Sequence, residues 1–429
     1  MRLIFAAVAA VSMLGCAAAK GEQAKLTVPA GTPLAVRSGS PTSMRVGAPI
    51  RGALIYAVYA ENQLVLPEGT VVHGTVTALT PDSTTRFHAR LRGDFTPFRT
   101  PVVHFDSLEM ADGSLLPIMT GTATDGAPTY RVVASPPKKG GFVRQQFDNA
   151  KSIARDRIAV VTGPDKGDRL KQFFYRQLPV HPQRIERATA WTVETTEPLI
   201  VSAGAKSAPV LGESSAEKPP TWIVQAYLAE EMSSGSSNAG DAIRAVVAEP
   251  VLNADGSVAV PQGAVLTGMI SQTKKSRSFG RAGELRFNFK QLTLPGEEAQ
   301  SVQTTLTGAD LAGDMAMTAE GEIKQKPKDR FVVPLILIAL AARPLHHEHG
   351  EHEIGRNAAA SNSLGFIGFI VGTVARQANV AAGIGFYGAA ISIYERIFRR
   401  GKEVTFAKDT RVVLQTTPRR SGAMGISRP

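Results

Sequence analysis

Apolar and polar residues alternate in two matching stretches of this chain. One is Val102-Val103-His104-Phe105-Asp106-Ser107-Leu108, which closes on Asp112-Gly113. The other is Leu285-Arg286-Phe287-Asn288-Phe289-Lys290-Gln291-Leu292, which closes on Pro295-Gly296. Period two ended by turn residues predicts strands joined by tight turns.

A common block precedes both stretches. Its first copy runs Val46-Gly47-Ala48-Pro49-Ile50-Arg51-Gly52-Ala53 and then Leu64-Val65-Leu66-Pro67-Glu68-Gly69, ending on His73-Gly74. Its second runs Ala239-Gly240-Asp241-Ala242-Ile243-Arg244-Ala245-Val246 and then Val258-Ala259-Val260-Pro261-Gln262-Gly263, ending on Thr267-Gly268. The shared Gly and Pro lie 20 residues apart in one copy and 21 in the other, and Pro to the final Gly is 7 in both. Agreement in order and spacing predicts a duplicated unit. In each Pro-Xaa-Gly element, Pro is expected at the first central turn position, with Gly taking positive φ at the second.

The expected fold is therefore mainly β: two tandem small antiparallel barrel- or sandwich-like domains, each with a helical excursion before its last strand. The first domain is expected over 20–202 and the second over 221–416, joined by an Ala/Ser/Pro/Gly-rich linker at 203–220. The last strands are read in Thr189–Val201 and Glu403–Leu414, with Thr196–Val201 matched to Asp409–Leu414. Residues 417–429 form a flexible basic tail.

The excursions differ in chemistry. In 137–187, a helical spacing of apolar residues from Phe142 to Val161 lies in a stretch with 12 Lys or Arg against 5 Asp or Glu. That is a basic surface suited to anionic lipid or an acidic partner. In 331–398, apolar runs at Phe331–Ala342, Leu364–Ala375 and Val380–Tyr394 are each shorter than the roughly 20 residues a membrane-crossing helix needs. Gly365, Gly368, Gly372, Gly383, Gly385 and Gly388 would let helices approach closely, which predicts a hairpin for membrane contact or oligomerisation.

Composition adds a compartment. Met1-Arg2, the apolar Leu3–Leu14 and the small residues after it read as an export signal over 1–19. The single cysteine of the 429-residue chain, Cys16, sits where a bacterial lipobox would place its lipidated cysteine, and it rules out intrachain disulfides. This predicts an outer-membrane lipoprotein facing the periplasm, or a soluble periplasmic protein where cleavage removes Cys16. The net charge of +11 does not single out nucleic acid: no zinc or RNA-binding motif and no aromatic interleaving accompany it. The partners expected are membrane lipid, other envelope proteins and further copies of the chain.

The order of β-domain, Leu-Pro-Xaa-Gly turn with a following Gly, arginine-bearing link, alternating strand, apolar helical hairpin and final strand resembles the C-terminal β-barrel domain of the conjugal-transfer TrbI family, in tandem duplicate. Leu66-Pro67-Glu68-Gly69, Val260-Pro261-Gln262-Gly263 and Phe279-Gly280-Arg281-Ala282-Gly283 carry the resemblance. It implies a type IV secretion subunit reaching the outer membrane, with 331–398 in place of the family's helical antenna. The family's inner-membrane segment has no counterpart in this pattern, so that role is not implied.

Catalytic signals fail on inspection, and no cofactor is expected. His346, His347, His349 and His352 group with three glutamates, ligand types suited to Zn, Ni or Cu. The His-Glu-Xaa-Xaa-His spacing of a zinc hydrolase is absent, so a hydrophilic loop with weak metal affinity is the fuller account. Gly383-Ile384-Gly385-Phe386-Tyr387-Gly388 matches a dinucleotide fingerprint in letters but lacks the flanking strand and acidic residue. A non-enzymatic envelope scaffold is the expected function; the alternative is a periplasmic binding module for an anionic polymer or envelope glycan.

Overall fold

A computed structural model describes residues 25–133 except 125, 178–202, 221–325 except 254, 313–314 and 319–320, and 378–418 except 395–397 and 399. The export signal with Cys16, the linker, most of the basic excursion, the histidine loop and Gly365, Gly368 and Gly372 lie outside the described residues.

The first unit contains β1 (Lys25–Val28), β2 (Pro33–Ser38), β3 (Thr42–Ser43), β4 (Pro49–Leu54), β5 (Val58–Ala60), β6 (Gln63–Leu66), β7 (Val71–Pro81), α1 (Ser83–Leu91), β8 (Arg99–Glu109), β9 (Leu115–Pro117), β10 (Ala127–Val133), β11 (Arg184–Ile185), β12 (Thr189–Glu194) and β13 (Leu199–Ser202). The second contains β14 (Trp222–Leu228), β15 (Met232–Ser233), β16 (Ala242–Val247), β17 (Val251–Leu252), β18 (Val258–Val260), β19 (Val265–Lys274), β20 (Glu284–Thr293), β21 (Gln300–Ala312), β22 (Met315–Met317), β23 (Ile323–Gln325), α2 (Ala378–Ile393), β24 (Thr405–Phe406) and β25 (Arg411–Pro418).

The expected mainly β architecture is what the chain adopts. In the second unit, the order β20-β19-β16-β14-β25-β21 closes through a β20–β21 ladder into a six-stranded barrel. The first repeats the order β8-β7-β4-β2-β12 as a half-barrel. Among the described residues, its open side is crossed by single bridges, Val103 to Ala123 and Thr120 to Thr195. Alternation fills each interior separately. Leu34, Ile50, Val72, Phe105 and Trp191 lie in one core; Val224, Leu266, Phe289, Leu306 and Leu414 lie in the other.

Duplication extends to individual hydrogen bonds. Thr120 Oγ1 accepts from Phe105 N and donates to Phe105 O; Thr304 Oγ1 does the same with Phe289. Both threonines are buried, and each hydroxyl satisfies two backbone groups that a regular ladder would have paired. Register breaks also recur, at His73/Gly74 in β7 and Thr267/Gly268 in β19.

Three readings of the sequence are corrected. In the Pro-Xaa-Gly turns, Thr70 N and Ala264 N donate to Pro67 O and Pro261 O, so Pro is the first corner and Gly the second central residue, with φ of 84° and 81°. The counterpart of β25 in the first unit is the Thr189–Glu194 part of the expected 189–201 strand, not 196–201: Thr189 and Thr410 each bond back to the residue three before, after a positive-φ Ala188 or Asp409. Leu199–Ser202 instead pairs with Lys25–Val28 outside the barrel. Finally, β25 runs to Pro418, two residues into the expected tail.

The units are joined by more than covalent continuity. β10 pairs two residues with β12 and then five with the extension of β21, Thr129–Val133 against Ala312–Gly308. Gln262 donates from N to Asn62 Oδ1 and from Nε2 to Tyr59 O, at 2.8 and 2.7 Å. Arg411, 2% exposed, lies 3.9 Å from the centroid of the Tyr56 ring, bonds Gln225 and Tyr227 OH and pairs with Glu249. The Tyr56 hydroxyl donates to Asp310, and burial followed by the Asp310 charge raises its pKa well above the usual phenol range.

Glu194, Lys408 and Asp409 form a second contact between the units. Burial first, then a hydrogen bond to Glu194 and that carboxylate's charge, raise the Asp409 pKa to about 7, against the pull of Lys408. Lys408, through its hydrogen bond, and then Asp409 hold Glu194 below its usual range. A raised carboxyl pKa means the folded state holds a proton that the unfolded chain has released. Stability is therefore full below the unfolded value near 4 and falls until pH passes about 7. Asp409→Asn keeps a side chain tolerant of φ 62° without the charge. It is expected to raise stability at pH 8 by about 1 kcal/mol, a figure discounted for partial exposure, and to change little at pH 4. Urea midpoints at the two pH values measure this; an equal change at both would contradict it.

Candidate functional site

The segment that returns from each excursion meets its barrel at the same place. In the first unit it enters beside the β7–β8 connection: Phe95 N donates to Pro179 O at 2.6 Å, His181 N to Thr96 Oγ1 at 3.1 Å, and β11 pairs with β3. In the second it enters beside the β19–β20 connection: Phe279 N donates to Phe398 O, Gly401 N to Arg277 O, Gly283 N to Lys402 O, and β24 pairs with β15. The helix α1, which fills the first connection, has no counterpart in the second and was not read from the sequence.

The second junction is built around Glu403. Its carboxylate accepts from Ser234 Oγ at 2.6 Å, Ser276 Oγ at 2.6 Å and Ser276 N at 3.0 Å. Burial works against ionisation here, but the hydrogen bonds from Ser234 and then Ser276 outweigh it and hold the carboxyl below its usual range. Ser234 is fully buried, and its Oγ also accepts from Val404 N. Arg400 Nε donates to Ser276 O at 2.9 Å. The chain leaving the helix is thus tied at successive residues to two barrel loops.

The Gly280-Arg281-Ala282-Gly283 link gains a physical reason. A Cβ on Gly283 would lie 2.1 Å from Ser234 Oγ and 2.7 Å from Glu403 Oε2, so only glycine leaves room for the carboxylate. A Cβ on Gly401 would meet Arg281 O at 2.1 Å. Interlocked backbone with no space for side chains makes this junction a rigid root rather than a hinge.

Above the root stands α2. Inside the excursion expected over 331–398, the helix within the described residues runs from Ala378 to Ile393, 16 residues without a charge. Apolar residues encircle it rather than forming one stripe. Phe386, Tyr387 and, just beyond, Tyr394 are 39%, 48% and 58% exposed. Of its glycines, Gly388 is buried and Gly385 half-buried, whereas a Cβ on Gly383 meets nothing within 4 Å. The close packing expected at Gly383 has no partner among the described residues. Among them, no helix is long and apolar enough to cross a membrane. Residues 383–388 lie on this helix and not on a strand-to-helix turn, so the dinucleotide fingerprint lacks its required setting.

Other titratable clusters sit on barrel surfaces. His73 and Arg51 both contact Glu109, and His181 contacts Asp94 at 3.3 Å. Among the described residues, no group of three or more His, Cys, Asp and Glu could hold a metal ion.

No protein-family model matches the chain, and no curated protein matches it. Among solved structures, it is similar to ComB10 of the Com type IV secretion system of Helicobacter pylori. That similarity has 11% identity over 40% of this chain and 89% of the other, with a TM-score of 0.21. The TrbI-family resemblance is therefore not shown by these comparisons.

Proposed function

We propose that this protein is a non-enzymatic scaffold of the cell envelope, exported and lipid-anchored at Cys16, that uses its helical excursion for membrane contact and assembly with envelope proteins or further copies of itself. One observation carries the reading: α2 is apolar on every side and exposes its aromatic residues, and the chain after it, from Arg400 to Glu403, is bonded to loops of a closed barrel. A helix apolar all round is stable where something covers it, whether hydrocarbon or protein. The hydrogen bonds from Ser234 and Ser276 to Glu403 support a fixed attachment in place of a mobile lid. A single acyl chain at Cys16 gives only marginal binding, and α2 supplies the second signal that stable anchoring needs. The TrbI-like order of elements accords with a place in a secretion or conjugation complex.

The triple variant Phe386→Ser, Tyr387→Ser, Tyr394→Ser tests this. It is expected to move from the detergent phase to the aqueous phase and to elute as a smaller species, with the barrel's circular dichroism unchanged. Unchanged partitioning together with unchanged size would refute the reading. An anionic polymer binding to both proteins equally, with no shift in either property, would favour the periplasmic binding module.

A further inference from the structure

Phe95 and Phe279 occupy the same position in the two units. Each lies in the connection between the third and fourth barrel strands, and each donates its N–H to a carbonyl of the returning excursion, Pro179 or Phe398. Around them the connections have diverged: one contains α1 and spans 82–98, the other spans 275–283. Yet both phenylalanines remain, and both are 54% exposed. A lone exposed phenylalanine needs no explanation. The same one kept in two otherwise dissimilar loops lies outside either core, so core packing does not account for it.

Apolar neighbours enlarge each site. Val180, 59% exposed, follows Pro179, whose carbonyl accepts from Phe95 N, and Phe398, 51% exposed, has its ring centroid 5.9 Å from that of Phe279. Exposed arginines lie on the same connections and returning segments: Arg90, Arg99 and Arg184 in the first unit, Arg277 and Arg281 in the second, with Arg400 3.8 Å from the Glu403 carboxylate. The nearby carboxylates already have hydrogen-bond partners within the protein. Asp82 accepts from Thr85, Asp94 from Thr96 N, and Glu403 from Ser234 and Ser276.

We infer that these two junctions are matching attachment points for an anionic phospholipid surface, with Phe95 and Phe279 entering the headgroup boundary while the arginines meet lipid phosphates. An exposed aromatic ring on a loop that also carries exposed guanidinium groups has the chemistry of an interfacial anchor. This surface is separate from α2 and does not depend on the reading of that helix.

The test uses the full chain with Cys16→Ser and the three α2 serine substitutions, so that neither acyl chain nor helix contributes. Sedimentation is measured with vesicles of phosphatidylcholine alone and with vesicles containing phosphatidylglycerol. Binding is expected only to the latter, weakened by added salt. Phe95→Ser with Phe279→Ser is expected to lower that partitioning by about tenfold or more, and the exposed positions leave the thermal midpoint unchanged. Equal binding to both vesicle types overturns the inference, as does a double variant that binds like its parent. A protein partner lost by the double variant without any change on lipid also overturns it.

Discussion

Arg411→Ala is expected to destabilise the protein by about 3–5 kcal/mol, the range for breaking a buried charge network from one side. The guanidinium is 1% exposed and satisfies Gln225, the Tyr227 hydroxyl and Glu249 together while stacking on Tyr56 of the other unit. Its removal takes the arginine's donation from the Tyr227 hydroxyl and the charge partner from the partly buried Glu249, which keeps only the neutral Gln225 Nε2 donor, and leaves a void beneath the Tyr56 ring. The barrel itself does not require arginine there: the equivalent residue of the first unit, two after the positive-φ Ala188, is Ala190. Tyr56 likewise corresponds to Glu249, because Ile55 N and Ala248 N make the same bond to the first barrel strand of their own unit, β2 or β14. Each copy thus contributes a residue that the other lacks, and the lock joins unlike partners. Urea unfolding of the full chain measures the effect. Arg411→Lys should recover only part of it, since an ammonium keeps the charge without the planar fork. A loss below about 1 kcal/mol for alanine would place Arg411 outside the energetic core of the interface.

Gly268→Val is expected to prevent the second barrel from closing, with a loss of about 3 kcal/mol or more and little folded protein recovered. A Cβ at Gly268 would lie 2.1 Å from Asn288 O and 2.5 Å from Phe289 Cα, both backbone atoms of the adjoining strand. Neither can move aside without opening the β19–β20 ladder. Gly263→Ala provides the contrast. That glycine has φ 81° and open space around it, so alanine there meets strain alone and should cost about 1 kcal/mol. Thermal midpoints of the two variants separate steric exclusion from backbone strain; equal losses would contradict the distinction.

Both glycines were legible in the sequence, as members of the repeated Pro-Xaa-Gly…Gly spacing, but their different reasons were not. The letters show that glycine recurs; only the packed strands show that Gly268 faces a neighbouring backbone and Gly263 faces solvent. Period two also located β8 and β20 well, because Phe105 and Phe289 stand out against polar neighbours. It missed β21, whose buried face includes Thr304 and whose exposed face is also rich in threonine, so the alternation is weak. Helix α1 escaped notice for a related reason: of its nine residues only Ala89 is buried, and Asp82 caps it through a hydrogen bond to Thr85 N that a short polar stretch does not advertise.

The junction was the least visible part. Ser234, Ser276 and Glu403 are far apart in sequence, and none belongs to a motif. What the sequence did offer was Gly280-Arg281-Ala282-Gly283, noted for its resemblance to a family link, and its meaning came only from Gly283 touching the Glu403 carboxylate. The contact between units was equally hidden. A duplicated sequence suggests two independent domains, whereas β10 crosses from one sheet to the other and Tyr56 covers Arg411, pairings that no local pattern encodes.

The central claim is that the apolar surface of α2 is covered when the protein is in its envelope. Ala390 is exposed on that helix and Glu68 on a barrel turn. Single cysteines placed at each, in the otherwise unaltered chain, are compared for reaction with a water-soluble thiol reagent in isolated native envelopes and again after detergent extraction. The account predicts that Ala390→Cys is protected at least about tenfold relative to Glu68→Cys in the envelope, with that protection changing on extraction as its cover is replaced. Equal labelling of the two positions in intact envelopes would contradict it.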